Sequence, residues 1–125
     1  MLAETVKSLF PFVPAKEFET STQFYKDLGF TCHGNDEGVR TFTLGECGFL
    51  LQDFYVADLA NNFMLNLHVD DVERWYQHIQ ESKLTEKYAG TRVSAPKLEE
   101  WGMIVMYVVD PVGVLWHVTQ YPHKE

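Results

Sequence analysis

The chain repeats one pattern, and that repeat limits the folds it can adopt. Residues 39–52 and residues 104–117 each consist of an apolar stretch, a turn that contains glycine, and a second apolar stretch. The two copies align without a gap, and in this alignment Gln52 matches His117. Each copy is therefore predicted to be two strands joined by a turn.

Each repeat is preceded by a segment predicted to be a strand and a segment predicted to be a helix. In the first half, residues 9–15 predict a strand, and residues 17–28 predict an amphipathic helix that ends at Gly29. In the second half, residues 63–69 alternate in the manner of a strand, and residues 71–81 predict the helix. Each half is therefore predicted to be a strand, a helix and further strands.

These halves predict an α+β fold of two tandem βαβββ modules that form a curved mixed sheet around a cleft. The first module spans about residues 1–57 and the second about residues 58–125. The connection between them, residues 57–62, is short, so we expect modules of one domain rather than separate domains.

Some local features of the second module are also predicted. Asp70 is expected to be the N-cap of its helix, because Glu73 then completes a capping box. After this helix, residues 85–88 predict a further strand, and residues 89–100 predict a loop that overhangs the cleft. Residues 101–108 predict the penultimate strand.

Composition limits the partners. No apolar run is long enough to cross a bilayer and no N-terminal signal is visible, so we expect a cytoplasmic protein without a membrane partner. The net charge of −8 argues against nucleic acid and is compatible with a cationic ligand. The two cysteines, Cys32 and Cys47, lie in no metal-like cluster.

Three sequence segments resemble those of a known family. Residues 13–18 (Val-Pro-Ala-Lys-Glu-Phe), residues 24–30 (Phe-Tyr-Lys-Asp-Leu-Gly-Phe) and residues 110–113 (Asp-Pro-Val-Gly) with His117 resemble the glyoxalase / bleomycin-resistance / dioxygenase superfamily, the vicinal oxygen chelate proteins. Within it the chain is most similar to the bleomycin-resistance proteins, which also share a Trp-Gly pair like that at Trp101. The resemblance implies an acidic homodimer that sequesters a cationic aromatic antibiotic between subunits and does no chemistry on it.

The family's metal pattern is the main test of enzymatic function. Enzymes of this superfamily hold a divalent metal with His, Glu or Gln at four cleft-facing positions, which correspond here to Phe10, Gln52, Met64 and His117. Phe10 cannot bind a metal, and the thioether of Met64 is a poor ligand for these metals. We therefore expect no metal, no other cofactor and no catalytic residue.

Two function classes remain open. The first is a metal-free protein that sequesters a cationic aromatic small molecule, with Trp101 as a stacking platform. The second is a metal-dependent enzyme, either a glyoxalase-like lyase or isomerase or a ring-cleaving dioxygenase, in which His68 and His117 converge with Gln52 or a nearby Glu. The expected ligand-contacting residues of the first class face the cleft or border it: Phe10, Phe12, Gln52, Phe54, Met64, Asn66, His68, Trp101 and His117.

Plainer interpretations of these residues also stand. Met64 and Phe10 are equally explained as core side chains, and His117 as a hydrogen-bonded structural histidine. Trp116 alternates with His117, so its side chain is expected on the helix side of the sheet. A ligand sensor that acts through a partner ranks below both classes, because the sequence shows no second domain.

Overall fold

The first module builds one mixed sheet. The computed structural model describes residues 1–122. After a 3₁₀ helix at Leu2–Thr5, the chain forms β1 (Phe12–Ala15), α1 (Phe18–Leu28), β2 (Thr31–His33), β3 (Val39–Leu44) and β4 (Cys47–Asp53). The strand order is β1-β4-β3-β2, with β1 parallel to β4 and the other pairs antiparallel.

The second module repeats this arrangement. It follows the short helix α2 (Ala57–Ala60) and contains β5 (Met64–His68), α3 (Val72–Glu81), α4 (Leu84–Lys87), β6 (Arg92–Val93), β7 (Lys97–Leu98), β8 (Ile104–Val109) and β9 (Leu115–Gln120). The strand order is β5-β9-β8-β6, and β7 also pairs with β8. Strands β5, β9 and β8 therefore occupy the places of β1, β4 and β3, which confirms the α+β class and the tandem modules.

The connections differ from the predicted ones. Residues 85–88 form most of helix α4 and the residue after it, so the predicted strand there is wrong. Leu84 is fully buried and anchors the turn, and this burial outweighs the strand propensity of the residues that follow. The predicted loop at residues 89–100 contains the short strands β6 and β7, and the penultimate strand begins at Ile104.

The start of α3 lies one residue later than predicted. The N-cap is Asp71, whose carboxylate accepts a hydrogen bond from the backbone N–H of Arg74 at 3.1 Å. Asp70 is therefore not the cap. The longest helix, α1, has 11 residues, and no helix within residues 1–122 is long and apolar enough to span a membrane.

One buried cluster joins the two modules. The rings of Phe49 on β4 and Trp116 on β9 lie 5.6 Å apart, and Tyr25 on α1 contacts both. Buried side chains from the sheets and helices of both modules complete this cluster. Trp116 is 5% exposed, which confirms that it faces the helix side of its sheet.

A buried hydrogen-bond network reinforces this junction. The Tyr25 hydroxyl donates to Asp110 Oδ2 at 2.6 Å and accepts from Trp116 Nε1 at 3.0 Å. Asp110 Oδ1 accepts from the backbone N–H groups of Val112 and Val114 at 3.0 and 2.9 Å. Burial raises the pKa of Asp110 and raises that of Tyr25 well above its usual value. The Asp-Pro-Val-Gly motif thus holds the β8–β9 turn and ties it to the first module.

The two sheets meet through one side of each. Because Phe49 and Trp116 bring these sides together, the other side of each sheet points away from the junction and away from the other sheet. We call these two outward sides the open faces. The open face of the first sheet carries Phe12, Thr41, Thr43, Leu50 and Gln52, and that of the second carries Met64, Asn66, His68, Val105, Tyr107, Leu115, His117 and Thr119.

Candidate functional site

The open face of the second sheet combines aromatic, imidazole and amide groups. Strand pairing sets His117 on β9 between Asn66 on β5 and Tyr107 on β8. Directly opposed residues share a face, so these three side chains are neighbours. Met64 on the same face is 64% exposed. A large apolar side chain at this exposure is available to a ligand or to another protein surface.

His117 lacks the hydrogen bond expected of a structural histidine. Its Nε2 atom is buried and has no hydrogen-bond partner among residues 1–122. The ring packs edge-to-face against Tyr107, with centroids 4.9 Å apart. Buried polar atoms are normally hydrogen-bonded, so an orphan of this kind needs an explanation, such as a ligand group.

Neighbouring polar groups on this face are partly paired. The Thr119 hydroxyl donates to Asn66 Oδ1 at 3.1 Å. His68 lies 3.5 Å from the same hydroxyl through Nδ1, at the limit of hydrogen bonding, and its ring contacts Tyr121 with centroids 4.7 Å apart. This half of the face is therefore already ordered by contacts within the chain.

A cleft lies at the other end of the face, between β6 and β8. Its volume is about 260 Å³, and Arg92, Ser94, Tyr107 and Val109 are among its lining residues. None of these four residues was predicted as a site residue from the sequence. Alternation along residues 104–109 could have found Tyr107, whereas β6 has only two residues and gives no period.

The open face of the first sheet is aromatic at one edge. Phe10 packs over Gly48, where a Cβ atom would lie 2.6 Å from its ring. Phe12 is 52% exposed, and Gln52 is half-buried. Phe54 lies just beyond β4, is 48% exposed, and pairs with β1 through its backbone. This edge presents aromatic surface to solvent.

Trp101 lies on neither sheet. It is 61% exposed in the turn between β7 and β8, which a hydrogen bond from Gly102 N–H to the Glu99 carbonyl closes at 2.9 Å. Glu100 precedes it and is exposed. An exposed indole beside two carboxylates suits an aromatic or cationic group.

The structure divides the predicted site residues. Met64, Asn66, His68 and His117 share the open face of the second sheet, while Phe10, Phe12, Gln52 and Phe54 lie on or beside that of the first. Because the open faces point in different directions, one chain does not bring the two groups together. Strand register also shows that Met64 corresponds to Phe12, since they oppose the equivalent residues Leu115 and Leu50.

The family's divalent metal does not fit these donors. No group of three or more His, Cys, Asp or Glu side chains within residues 1–122 is arranged to hold a metal. The second sheet offers His68 and His117 beside an amide, and Gln52 lies on the other sheet. A site for a hard or borderline divalent ion needs several converging N or O donors, and the described residues of one chain do not supply them.

A larger cleft of about 350 Å³ lies elsewhere, where α3 meets the first module. Its lining includes Leu28, Leu44, Asp71 and Trp75. The Asp71 carboxylate already caps α3. We base the candidate site on the open faces, because the orphaned imidazole of His117 and the exposed aromatic side chains lie there or beside them.

Comparison with known proteins agrees with this fold. Residues 8–118 match the model of the Glyoxalase/Bleomycin resistance protein/Dioxygenase superfamily. The chain belongs to this superfamily. The resemblance stated from the sequence is thereby confirmed.

Three similar proteins are bleomycin resistance or bleomycin-binding proteins. The chain is 30% identical over 115 residues to a bleomycin resistance protein of Klebsiella pneumoniae, a match that covers 88% of this chain and 89% of that protein. It is similar to a bleomycin-binding protein solved in complex with bleomycin, with 28% identity, a TM-score of 0.79, and coverage of 94% of this chain and 100% of that one. A bleomycin resistance determinant encoded on transposon Tn5 gives 26% identity, a TM-score of 0.80 and the same coverage.

Proposed function

We propose that this protein is a metal-free, cytoplasmic homodimer that sequesters an aromatic, cationic antibiotic of the bleomycin type. The observation that carries the proposal is the orientation of the two open faces. Each presents exposed apolar and hydrogen-bonding side chains, yet one chain turns them away from each other. A groove lined by both open faces therefore requires the first sheet of one copy and the second sheet of another.

Exposed apolar side chains support the dimer. Phe12 and Phe54 on or beside the first face and Met64 on the second face are each about half exposed or more. Apolar surface of this kind on a folded protein marks a contact with a partner or ligand. A twofold arrangement would cover the same patches on both copies and create two equivalent grooves.

Charge and aromatic content support the ligand class. Trp101 provides an exposed indole, and Glu99 and Glu100 beside it provide negative charge. A cation over an indole contributes on the order of 1 kcal/mol, and more when water is excluded. The net charge of −8 raises the local concentration of cations around the whole molecule.

No observation favours the enzyme alternative. A lactoylglutathione lyase from Agrobacterium tumefaciens shares the fold at 16% identity and a TM-score of 0.65, which shows the fold alone. In the proposed dimer Gln52 of one copy would face His68 and His117 of the other. However, the remaining two positions of the family's metal pattern hold Phe10 and Met64, a phenyl ring and a thioether that are unsuited to these metals. We therefore propose no catalytic residue and no cofactor.

Calorimetric titration with metal-free bleomycin tests the ligand, and sedimentation equilibrium tests the dimer. We expect a dimer with saturable binding, and about tenfold weaker binding for Trp101→Ala, since a lost cation–π contact of about 1.4 kcal/mol is a factor of ten. Replacing both Glu99 and Glu100 with Gln should also weaken binding.

The matched control replaces the exposed carboxylates of Glu81 on α3 and Glu86 on α4 with Gln, and it should leave affinity unchanged. A monomer, the absence of saturable binding, or an affinity that requires a stoichiometric metal would contradict the proposal.

A further inference from the structure

We infer that the cleft between β6 and β8 is a subsite for an anionic oxygen group, such as a carboxylate, of a bound small molecule. The inference rests on the proposed function for the role of the open faces as groove walls, and it goes beyond that function in the chemistry of the ligand. It assigns a negative charge to one end of a ligand whose aromatic region is positively charged. It thus describes an elongated molecule with a cationic aromatic region and an acidic region.

The charges on this face are unusual for so acidic a chain. In an antiparallel pair, directly opposed residues point to the same side of the sheet. Arg92 opposes Val109 and Lys97 opposes Val105, so both cations lie on the open face. None of the five strands of the second sheet contains Asp or Glu, although the chain carries 18 such residues. The wall is therefore positive without a built-in counter-charge.

Arg92 is the cationic side chain that lines this cleft. It makes no ion pair with any other residue of the described chain, 1–122. Arg40, by contrast, forms an ion pair with Glu19 at 2.6 Å. A planar guanidinium offers two parallel N–H donors, which match the two oxygens of a carboxylate.

Three further groups in or beside the cleft are able to donate hydrogen bonds. Ser94 Oγ accepts from the backbone N–H of Tyr107 at 3.0 Å, so its hydroxyl proton remains available. Tyr107 lines the cleft and carries a phenolic hydroxyl. The His117 ring packs against the Tyr107 ring, and its buried Nε2 has no partner in the described part of the chain. Donors of this kind, with no carboxylate among them, select an acceptor.

The size of the cleft suits a part of a ligand. Its volume of about 260 Å³ is below the roughly 300–1,000 Å³ of sites that enclose a whole drug-sized molecule. The acidic turn with Trp101 lies beyond the other end of β8, and the five steps from Val109 to Ile104 alone span about 17 Å at 3.3 Å per residue. A molecule that reaches both would be long and would carry both charges.

The test uses a matched pair of probes on the full-length protein. Naphthalene-2-carboxylate and 2-naphthylmethylammonium share the aromatic group and differ in the sign of their charge. Amide ¹H–¹⁵N spectra report where each probe binds, and the titrations give the dissociation constants. The variant is Arg92→Gln, and the control is Arg74→Gln, an exposed arginine on α3 at the larger cleft.

We expect the carboxylate to shift the amide signals of Ser94, Tyr107 and Val109. Its binding should weaken about tenfold or more in Arg92→Gln and stay unchanged in Arg74→Gln. The ammonium probe should be insensitive to the Arg92 substitution. Failure of the carboxylate to bind, signals displaced toward α3, or equal affinity in Arg92→Gln would overturn the inference.

These outcomes separate the inference from the proposed function. If the carboxylate binds at Arg92 but bleomycin does not bind, the subsite is supported and bleomycin is excluded as the ligand. If bleomycin binding depends on Trp101 but carboxylate binding does not depend on Arg92, the proposed function is supported and the subsite is contradicted. A spectrum of Arg92→Gln that matches the unmodified protein away from the cleft shows that the variant is folded.

Discussion

The Tyr25 hydroxyl joins the two modules, and its removal is a small change with a large expected effect on stability. Tyr25→Phe removes one oxygen and leaves the ring contacts in place. Asp110 Oδ2 then loses its donor, and Trp116 Nε1 loses its acceptor. Tyr25 and Asp110 are 0% exposed and Trp116 is 5% exposed, so water cannot easily replace the lost bonds.

The expected loss of stability follows from the two orphaned groups. Each buried polar group left without its partner costs about 1–3 kcal/mol. Two of them reduce the free energy of unfolding by roughly 3 kcal/mol or more, out of the total of about 5–15 kcal/mol typical of a domain. Urea denaturation followed by far-ultraviolet circular dichroism, at one protein concentration, measures this loss without relying on the Trp116 signal.

The loss should depend on pH in a defined direction. Burial raises the pKa of Asp110 in the folded protein, and the Tyr25 hydrogen bond partly opposes that rise. A raised folded-state pKa gives stability that is present below the unfolded pKa and lost as pH rises through the folded pKa. Tyr25→Phe raises the folded pKa of Asp110 further. Its deficit should therefore grow as the pH rises from below the unfolded carboxyl pKa of about 4.

Tyr88→Phe is the matched control. The Tyr88 hydroxyl also donates to a carboxylate, that of Asp27, at 2.5 Å. The Asp27 side chain is 32% exposed, so water replaces the lost donor and the expected cost is about 1 kcal/mol or less. Equal losses for the two variants, or a Tyr25→Phe deficit that does not grow with pH, would refute the argument.

Two further substitutions test packing and capping. Gly48→Ala places a methyl group 2.5 Å from the Phe42 carbonyl oxygen and 2.6 Å from the Phe10 ring. Because the backbone as well as the Phe10 ring must shift, we expect a loss of roughly 1–3 kcal/mol in urea denaturation together with displacement of Phe10 in amide and aromatic NMR signals. An unchanged Phe10 environment would contradict that packing. Asp71→Ala should cost about 1 kcal/mol of stability as the true N-cap, whereas Asp70→Ala should cost little, and the reverse order in thermal melts would restore the sequence-based assignment.

The sequence predicted most of the elements because periodicity is a local property. The helix at Phe18–Leu28 and the strand at Met64–His68 lie inside the predicted segments, since apolar spacing decides which side chains are buried. The Thr85–Tyr88 region was mispredicted because burial of Leu84 is a tertiary effect. The one-residue error at the N-cap arose because adjacent aspartates satisfy the same pattern.

The site was less predictable than the fold. Alternation correctly separated Trp116 from His117, because neighbours on a strand point to opposite faces. It could not show that the two sheets meet through Phe49 and Trp116, since that depends on contacts between distant segments. The position of Arg92 was equally hidden, because a two-residue strand has no period and its face is fixed only by pairing with β8.

The outward orientation of the two faces has a genetic consequence. If each groove takes one wall from each copy, damage to the Phe12 wall and damage to the His117 wall are complementary. A mixed dimer of the two damaged chains would contain one groove with both defects and one groove with none. Two alleles that are each inactive alone would then restore resistance when expressed together, and neither would be rescued by a second copy of itself.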